Sequence, residues 1–222
     1  MVTPQKTKAQ RRAPSGPRRS GRPTSEETAR LSDAVREAAL ALFLERGYEG
    51  TTLEAIADAA GTTKPSLYGR FNDKDSLFDS VVRWATERAD WPVSEPPAPD
   101  LNDLEGALRA IAQAAVRRAT HPEMVGLTRL AAAQAERFPE LAERTNATSW
   151  PRKKLVVELL RRHAASGAIV ADEPEVLAEI FLGMVSALPA RLASFGIVRS
   201  PSTQAHHTRL AVDVFLRALR PD

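Results

Sequence analysis

The chain has no cysteine. That removes disulfides, thiolate zinc sites and cysteine nucleophiles together, and it fits a reducing compartment. Four histidines, His121, His163, His206 and His207, are the soft metal ligands that remain. His206 and His207 are neighbours, and neighbouring helical residues diverge by about 100°, which separates them as ligands of one ion. Neither a metal nor another cofactor is expected. Aromatic residues make up only 5% of the 222, and no stretch approaches the roughly 18 unbroken apolar residues of a membrane span. The amino terminus has no apolar signal-peptide core, so the expectation is a cytoplasmic chain without a membrane partner. Also missing are a glycine-rich phosphate loop, a Gly-x-Ser-x-Gly elbow and a His-Glu-x-x-His pair. An enzyme is therefore not expected.

A 43% apolar fraction in 222 residues is ample for a packed core, and a chain of this size buries on the order of 70% of its unfolded surface. Apolar residues recur at helical spacing almost throughout, and no run alternates with the period of two that a half-buried strand requires. The expected fold class is all-α.

Charge is divided unevenly. Residues 1–30 carry eight cations against two anions, residues 31–90 seven against eleven, and residues 91–222 sixteen against fifteen. A basic arm thus precedes an acidic module. The arm has four prolines and no aromatic, leaving little to bury, so the composition predicts disorder over residues 1–28. Such a segment serves either as an anion-seeking arm or as a solubilising extension. A second boundary falls at Trp91–Asp103, where Pro92, Pro96, Pro97 and Pro99 crowd together and no helix passes through. The predicted organisation is the arm, a module over 29–89, a linker over 90–102 and a helical domain over 103–222. The first helix carries the stripe Leu31, Val35, Ala38, Ala39, Leu42 and Phe43, with Ser32 as a possible cap. Periodic segments in the larger domain fall at 103–120, 122–137, 139–166, 173–194 and 203–220. Pro151 predicts a kink in the third, or two shorter helices meeting around 148–150.

The most informative stretch is Thr51–Phe71, TTLEAIADAAGTTKPSLYGRF. Thr51 and Glu54 have capping-box spacing, and Leu53, Ile56, Ala57 and Ala60 share one helical face. Gly61 suits a left-handed helix end, Thr62 suits the next cap, and Pro65 falls in that helix's first turn. Leu67 and Phe71 anchor the second helix inward. Two short helices across a glycine turn describe a helix-turn-helix, whose second helix reads the major groove with its first residues. Asn72 or Asp73 then caps a fourth helix with Lys74 in its first turn. A cation there opposes the helix dipole unless an external anion, such as a DNA phosphate, meets it; the alternative is a solvated lysine paired with Asp73 or Asp75.

Gly47-Tyr48, Thr51-Thr52, Ile56-Ala57, Ala60-Gly61, Leu67-Tyr68, Phe71, Lys74 and Leu77-Phe78 together resemble the TetR family of transcriptional regulators. The resemblance is close from Ala29 to Ala89. Beyond it, Arg129 and Arg137-Phe138-Pro139-Glu140-Leu141 look like one subgroup of the family. The resemblance implies an amino-terminal three-helix helix-turn-helix module linked to a larger helical bundle, a homodimer through the last two helices, and release from operator DNA by a small-molecule effector. It further implies phosphate contacts from Tyr68 and Lys74, backbone contacts from Thr51 and Thr52, and base contacts from Thr62, Thr63, Lys64, Pro65 and Ser66. Pro65 departs from the small residue frequent in the family, and a proline has no donor with which to read a base.

Three further expectations complete the reading. Arg19-Ser20-Gly21-Arg22-Pro23 resembles short arginine cores that enter narrow A·T-rich minor grooves, so Arg19 and Arg22 join the candidate DNA contacts. Leu177, Ile180, Phe181, Met184 and Leu188, with Leu210, Ala211, Val214, Phe215 and Ala218, form stripes suited either to a dimer interface or to intrachain core. Met124, Leu127, Phe138, Trp150, Phe181 and Met184, with Gln134, Asn146 and His163 as polar contacts, are candidates for an effector pocket. That inventory favours an apolar or aromatic effector. A structural or adaptor DNA-binding protein without an effector is the alternative.

Overall fold

The computed structural model describes residues 25–88, 92–93, 97–139 and 151–221. Among these residues all regular structure is helical: α1 (Ser25–Arg46), α2 (Leu53–Ala59), α3 (Lys64–Tyr68), α4 (Lys74–Glu87), α5 (Leu104–Ala119), α6 (Pro122–Ala133), α7 (Pro151–Ala165), α8 (Pro174–Ser194) and α9 (Pro201–Ala218).

Helix α1 begins earlier than its apolar stripe predicts. Ser32, expected as a cap, lies inside the helix, where its hydroxyl donates to the Thr28 carbonyl. Arg70 reaches back from beyond α3 to the same place, donating to the Thr28 carbonyl at 3.0 Å and the Ser32 hydroxyl at 2.9 Å. A long-range tie therefore holds a turn that packing leaves exposed, and such a tie has no signature in local periodicity.

Helices α1, α2, α3 and α4 enclose one core, with Val35, Ala39, Phe43, Ile56, Leu67, Leu77, Phe78 and Val81 almost fully buried. Leu127 and Phe138 join it from beyond the proline-rich linker. A second core unites α5, α7, α8 and α9 around Leu108, Ala112, Val156, Leu160, Phe181, Val185 and Val212. Helix α6 bridges the two, packing on α1 as well as on α5 and α8. Its Gly126 makes the approach possible, since a Cβ there would stand 2.9 Å from Leu44 Cδ2. At the other side of α6, Arg129 donates to the Ser194 carbonyl at 2.7 Å and the Ala193 carbonyl at 3.2 Å, two acceptors in the last turn of α8.

The segments predicted at 103–120, 173–194 and 203–220 correspond to α5, α8 and α9, while α6 ends before the predicted 137. Pro151 opens α7 as its first residue, the position where a missing N–H costs least; residues 140–150 lie outside the described set. Helix α8 is long and apolar enough to cross a membrane by length and composition alone. Its neighbours here are α5, α6, α7 and α9.

Candidate nucleic-acid interface

The two caps of the helix-turn-helix each sit one residue later than predicted. Thr52, not Thr51, caps α2, its hydroxyl accepting from the Ala55 amide. Thr63, not Thr62, caps α3, accepting from the Ser66 amide. Adjacent threonines make the two registers equivalent by composition, and tertiary contacts decide between them. Thr51 is 1% exposed, and its hydroxyl lies 3.1 Å from the Leu42 carbonyl and 2.8 Å from the Gly47 carbonyl. Thr51 thereby closes the α1–α2 corner, and its side chain serves the fold.

The turn follows glycine chemistry. Gly61 adopts φ +64°, the Thr62 amide donates to the Ala57 carbonyl at 2.9 Å, and the Gly61 amide donates to the Asp58 carbonyl at 3.2 Å. These two bonds occupy acceptors in the last turn of α2 as the chain reverses within three residues. Pro65 takes the second position of α3. Leu67 and Phe71 are buried as predicted. Thr52, Thr63, Lys64, Pro65 and Tyr68 are exposed, while Thr62, Ser66 and Lys74 are half-buried. Exposed side chains, most of them polar, thus stand at the start of α2 and along α3.

Asp73 caps α4 in a full capping box, with its carboxylate accepting from the Ser76 amide and the Ser76 hydroxyl accepting from the Asp73 amide. Lys74 sits at the first position, as expected, but its partners are unexpected. Its ammonium donates to the Tyr48 carbonyl at 3.0 Å and the Thr51 carbonyl at 3.3 Å, lies 4.2 Å from the centre of the Tyr48 ring and is 3.9 Å from Glu49. Carbonyl dipoles and a π face compensate the unfavourable helix end. The alternative pairing with Asp73 or Asp75 does not form the cradle.

Tyr48 and Asp75 organise this end of α4. The buried Tyr48 ring packs between Phe43, Phe78 and Phe138 at 5.0 to 5.8 Å, and its hydroxyl donates to Asp75. Burial, reinforced by that carboxylate, pushes the Tyr48 phenol above its usual range. The hydrogen bond from Tyr48, with Arg137 beside it, holds Asp75 below the usual carboxylate range. Arg137 donates from one Nη to both Asp75 oxygens at 3.0 Å, lies 3.6 Å from Glu49 and stacks 5.1 Å from the Tyr48 ring. At the opposite end of α4, Arg118 of α5 donates to the Thr86 carbonyl at 2.9 Å. Phe138, one of the effector-pocket candidates, is therefore part of this aromatic cluster in the first core. Tyr48, Asp75 and Arg137 were visible as motif letters in the sequence, but their contact spans 62 residues and no local pattern encodes it.

The other candidates are scattered. Leu127 is buried in the first core, whereas Phe181 and Met184 belong to the second. His163 Nε2 lies 3.1 Å from the Leu101 carbonyl, and Met124 is half-buried on α6. Arg19, Arg22, Asn146 and Trp150 lie outside the described residues.

Comparison with known proteins matches this arrangement. Residues 35–81 match the family model described as bacterial regulatory proteins, tetR family. Residues 106–221 match the AefR-like transcriptional repressor carboxy-terminal domain. Over 53 residues the chain is 40% identical to IcaR, the negative transcriptional regulator of the biofilm operon icaADBC of Staphylococcus aureus, a match covering 24% of this chain and 28% of IcaR. It is 42% identical over 60 residues to the transcriptional repressor KstR2 of Rhodococcus jostii, covering 27% and 29%. The chain thus spans less than a third of the length of these curated relatives. Whole-chain likeness comes from solved structures. The flavonoid-responsive regulator FrrA is 30% identical with a TM-score of 0.71, over 87% of this chain and 98% of FrrA. A TetR-family regulator of Mesorhizobium loti is 26% identical, also with a TM-score of 0.71 and the same coverage. The carboxy-terminal match alone covers more than half of the sequence, and together with the helix-turn-helix geometry it establishes that the chain belongs to the TetR family of bacterial transcriptional regulators.

Proposed function

We propose that the chain is a sequence-specific DNA-binding repressor, released from its operator by a small molecule. The observation that carries this reading is the exposed polar surface formed by Thr52, Thr63, Lys64, Pro65 and Tyr68 at the start of α2 and along α3. A recognition helix enters the major groove with its first residues, and small side chains there permit close approach. Tyr68, Lys74 and Thr52 meet phosphates in this reading, and Thr62, Thr63, Lys64, Pro65 and Ser66 face bases. Arg19 and Arg22 enter the adjacent minor groove, supplying attraction that a module of net negative charge lacks.

A sorting of the carboxy-terminal stripes supports dimerisation. Phe181, Ala211 and Phe215 are buried within the chain, whereas Val176, Ile180, Leu188, Leu210 and Val214 remain 43 to 53% exposed on α8 and α9. Self-complementary apolar faces of this kind suit a two-fold homodimer. We assign the effector to the apolar or aromatic class. Phe181, Met184 and His163 are its candidate contacts on the bundle side, and a flavonoid-responsive regulator is the solved structure whose similarity supports an aromatic ligand. The protein acts in the cytoplasm in this reading, with its DNA-binding module over 29–89 and its effector and dimer domain over 103–222.

The test is fluorescence anisotropy of the full chain on DNA from upstream of its own gene against a random duplex at two salt concentrations. A preference of roughly a thousandfold or more is expected for an operator. Equal, salt-steep binding to every candidate site would replace the repressor with a structural DNA-binding protein. Deleting residues 1–24 is expected to flatten the salt dependence by roughly 3.6 in log–log slope if the arm makes about four phosphate contacts. An unchanged slope removes the arm from the interface.

A further inference from the structure

Both cations on the proposed reading surface are already engaged by carboxylates of the same module. Lys64, the first residue of α3, donates to Glu54, the second residue of α2. Ten residues separate them, and the Gly61 turn brings them together. Lys74 lies within 3.9 Å of Glu49. Hydrogen bonding from Lys64, assisted by the Glu54 backbone amide, holds the Glu54 carboxyl below its usual range. The same bond to Glu54 raises the Lys64 ammonium above its usual range. The positive end of α2 favours a carboxylate at this position, so Glu54 is well placed to stay charged.

We propose that Glu54 is a specificity-determining residue that holds Lys64 as an internal ion pair and keeps it from acting as an unselective phosphate contact. This rests on the DNA-binding reading above and adds to it a reason why an acid sits on the reading surface. An ammonium has three donors. One is committed to Glu54, which leaves two for the paired O6 and N7 acceptors that guanine presents in the major groove. A neutral base edge accepts those donors without disturbing Glu54. A phosphate approaching Lys64 meets the Glu54 carboxylate at the same place, so one anion merely exchanges for another and little counterion release is gained. Attraction to DNA of any sequence is thereby withheld from the recognition helix, and Lys64 contributes where a guanine stands opposite it.

The experiment is a double-variant cycle on a mixed-sequence duplex, which needs no knowledge of the operator. Binding of the full-length wild type, Glu54→Gln, Lys64→Gln and the double variant is measured by anisotropy from 50 to 200 mM salt, with thermal melting to confirm that each is folded. Lys64→Gln is expected to leave the log–log slope at the wild-type value, because that charge is already neutralised. Glu54→Gln is expected to steepen the slope by about 0.9 for each protomer that gains a phosphate contact, a change of about 3.5-fold per protomer in the ratio of affinities at the two salts. The double variant is expected to return to the slope of Lys64→Gln. An unchanged slope in Glu54→Gln overturns the proposal. Equal steepening with and without Lys64 also overturns it, because Glu54 would then repel phosphates directly. Absence of binding by the wild type to every duplex at 50 mM salt defeats the DNA-binding reading itself and is distinct from both.

Discussion

The two cores of the molecule are made of different material. The amino-terminal core is aromatic, with Phe43, Tyr48, Phe71, Phe78 and Phe138 buried around α4. Among the described residues the carboxy-terminal core has one ring pair, Phe181–Phe215 at 4.9 Å, among Ala107, Ala112, Ala115, Ala178 and Ala211. Rings meet in preferred edge and stacked geometries, so an aromatic core fixes the angle between short helices that have few turns with which to register themselves. Alanine lets long helices lie close over a large area and leaves much less to orientation. The short helices that present the polar surface need the first solution, and the long helices of the bundle manage with the second.

The contrast is sharpest at one central ring of each core. Phe78 and Phe181 are both fully buried, and truncating either to alanine is expected to cost about 3–5 kcal/mol. Phe78 meets Phe43, Tyr48 and Phe138 at ring-centre distances of 5.0 to 5.3 Å, so its cost belongs at the upper end, with Phe181→Ala at the lower. Urea denaturation followed by circular dichroism measures both, and equal losses would break the comparison.

A smaller effect separates structure from function. Gly61 and Gly167 have φ values of 64° and 74°, and a Cβ at either would meet nothing within 4 Å. Alanine is therefore expected to cost each site about 1–2 kcal/mol of backbone strain, similarly in both. Only Gly61→Ala is expected to weaken DNA binding beyond its effect on stability, because Gly61 sets the angle of α3. Anisotropy at a temperature where both variants are folded tells them apart, and equal binding by the two would show that the turn tolerates re-aiming.

The smallest expected effect concerns pH and belongs to the bundle. Burial, assisted by the positive charge of Arg199 and by His206, lowers the His207 pKa below its ordinary 6.5. The unfolded chain then binds the proton more readily than the folded one, so stability is complete above about pH 6.5 and is lost as pH falls from there through the depressed value. His207→Asn is expected to flatten the fall in melting temperature between pH 7 and pH 5 by a few degrees at most. An unchanged profile would assign the acid sensitivity to other groups.

Much of this was legible in the sequence. Leu67 and Phe71 as inward anchors, Gly61 as the turn, Asp73 as a cap and Pro92–Pro99 as a break all follow from local chemistry, because each rests on partners within a few residues. The caps fall one residue beyond Thr51 and Thr62, since adjacent threonines are interchangeable by composition until the Leu42 and Gly47 carbonyls claim Thr51. The cradle of Lys74, the tie from Arg70 to Thr28 and the Asp75–Arg137 pair were illegible for a common reason. Each joins residues more than 20 positions apart, and helical periodicity carries no information at that range. The stripes of α8 and α9 were legible as apolar, but their division into buried and exposed residues depends on which neighbours pack against them.

Helix α4 is gripped at both ends by arginines from beyond the linker, Arg137 at Asp75 and Arg118 at the Thr86 carbonyl. The consequence is one of modularity. The helix-turn-helix is not a cassette that can be moved to another bundle by cutting within residues 88–103. A chimera built there would keep every residue of the polar surface and lose both grips, together with the Phe138 ring that closes the aromatic core. A working graft has to carry the Arg118 and Arg137 corners along with the helices they hold, so the heritable unit of this architecture is larger than the fold of its smaller half.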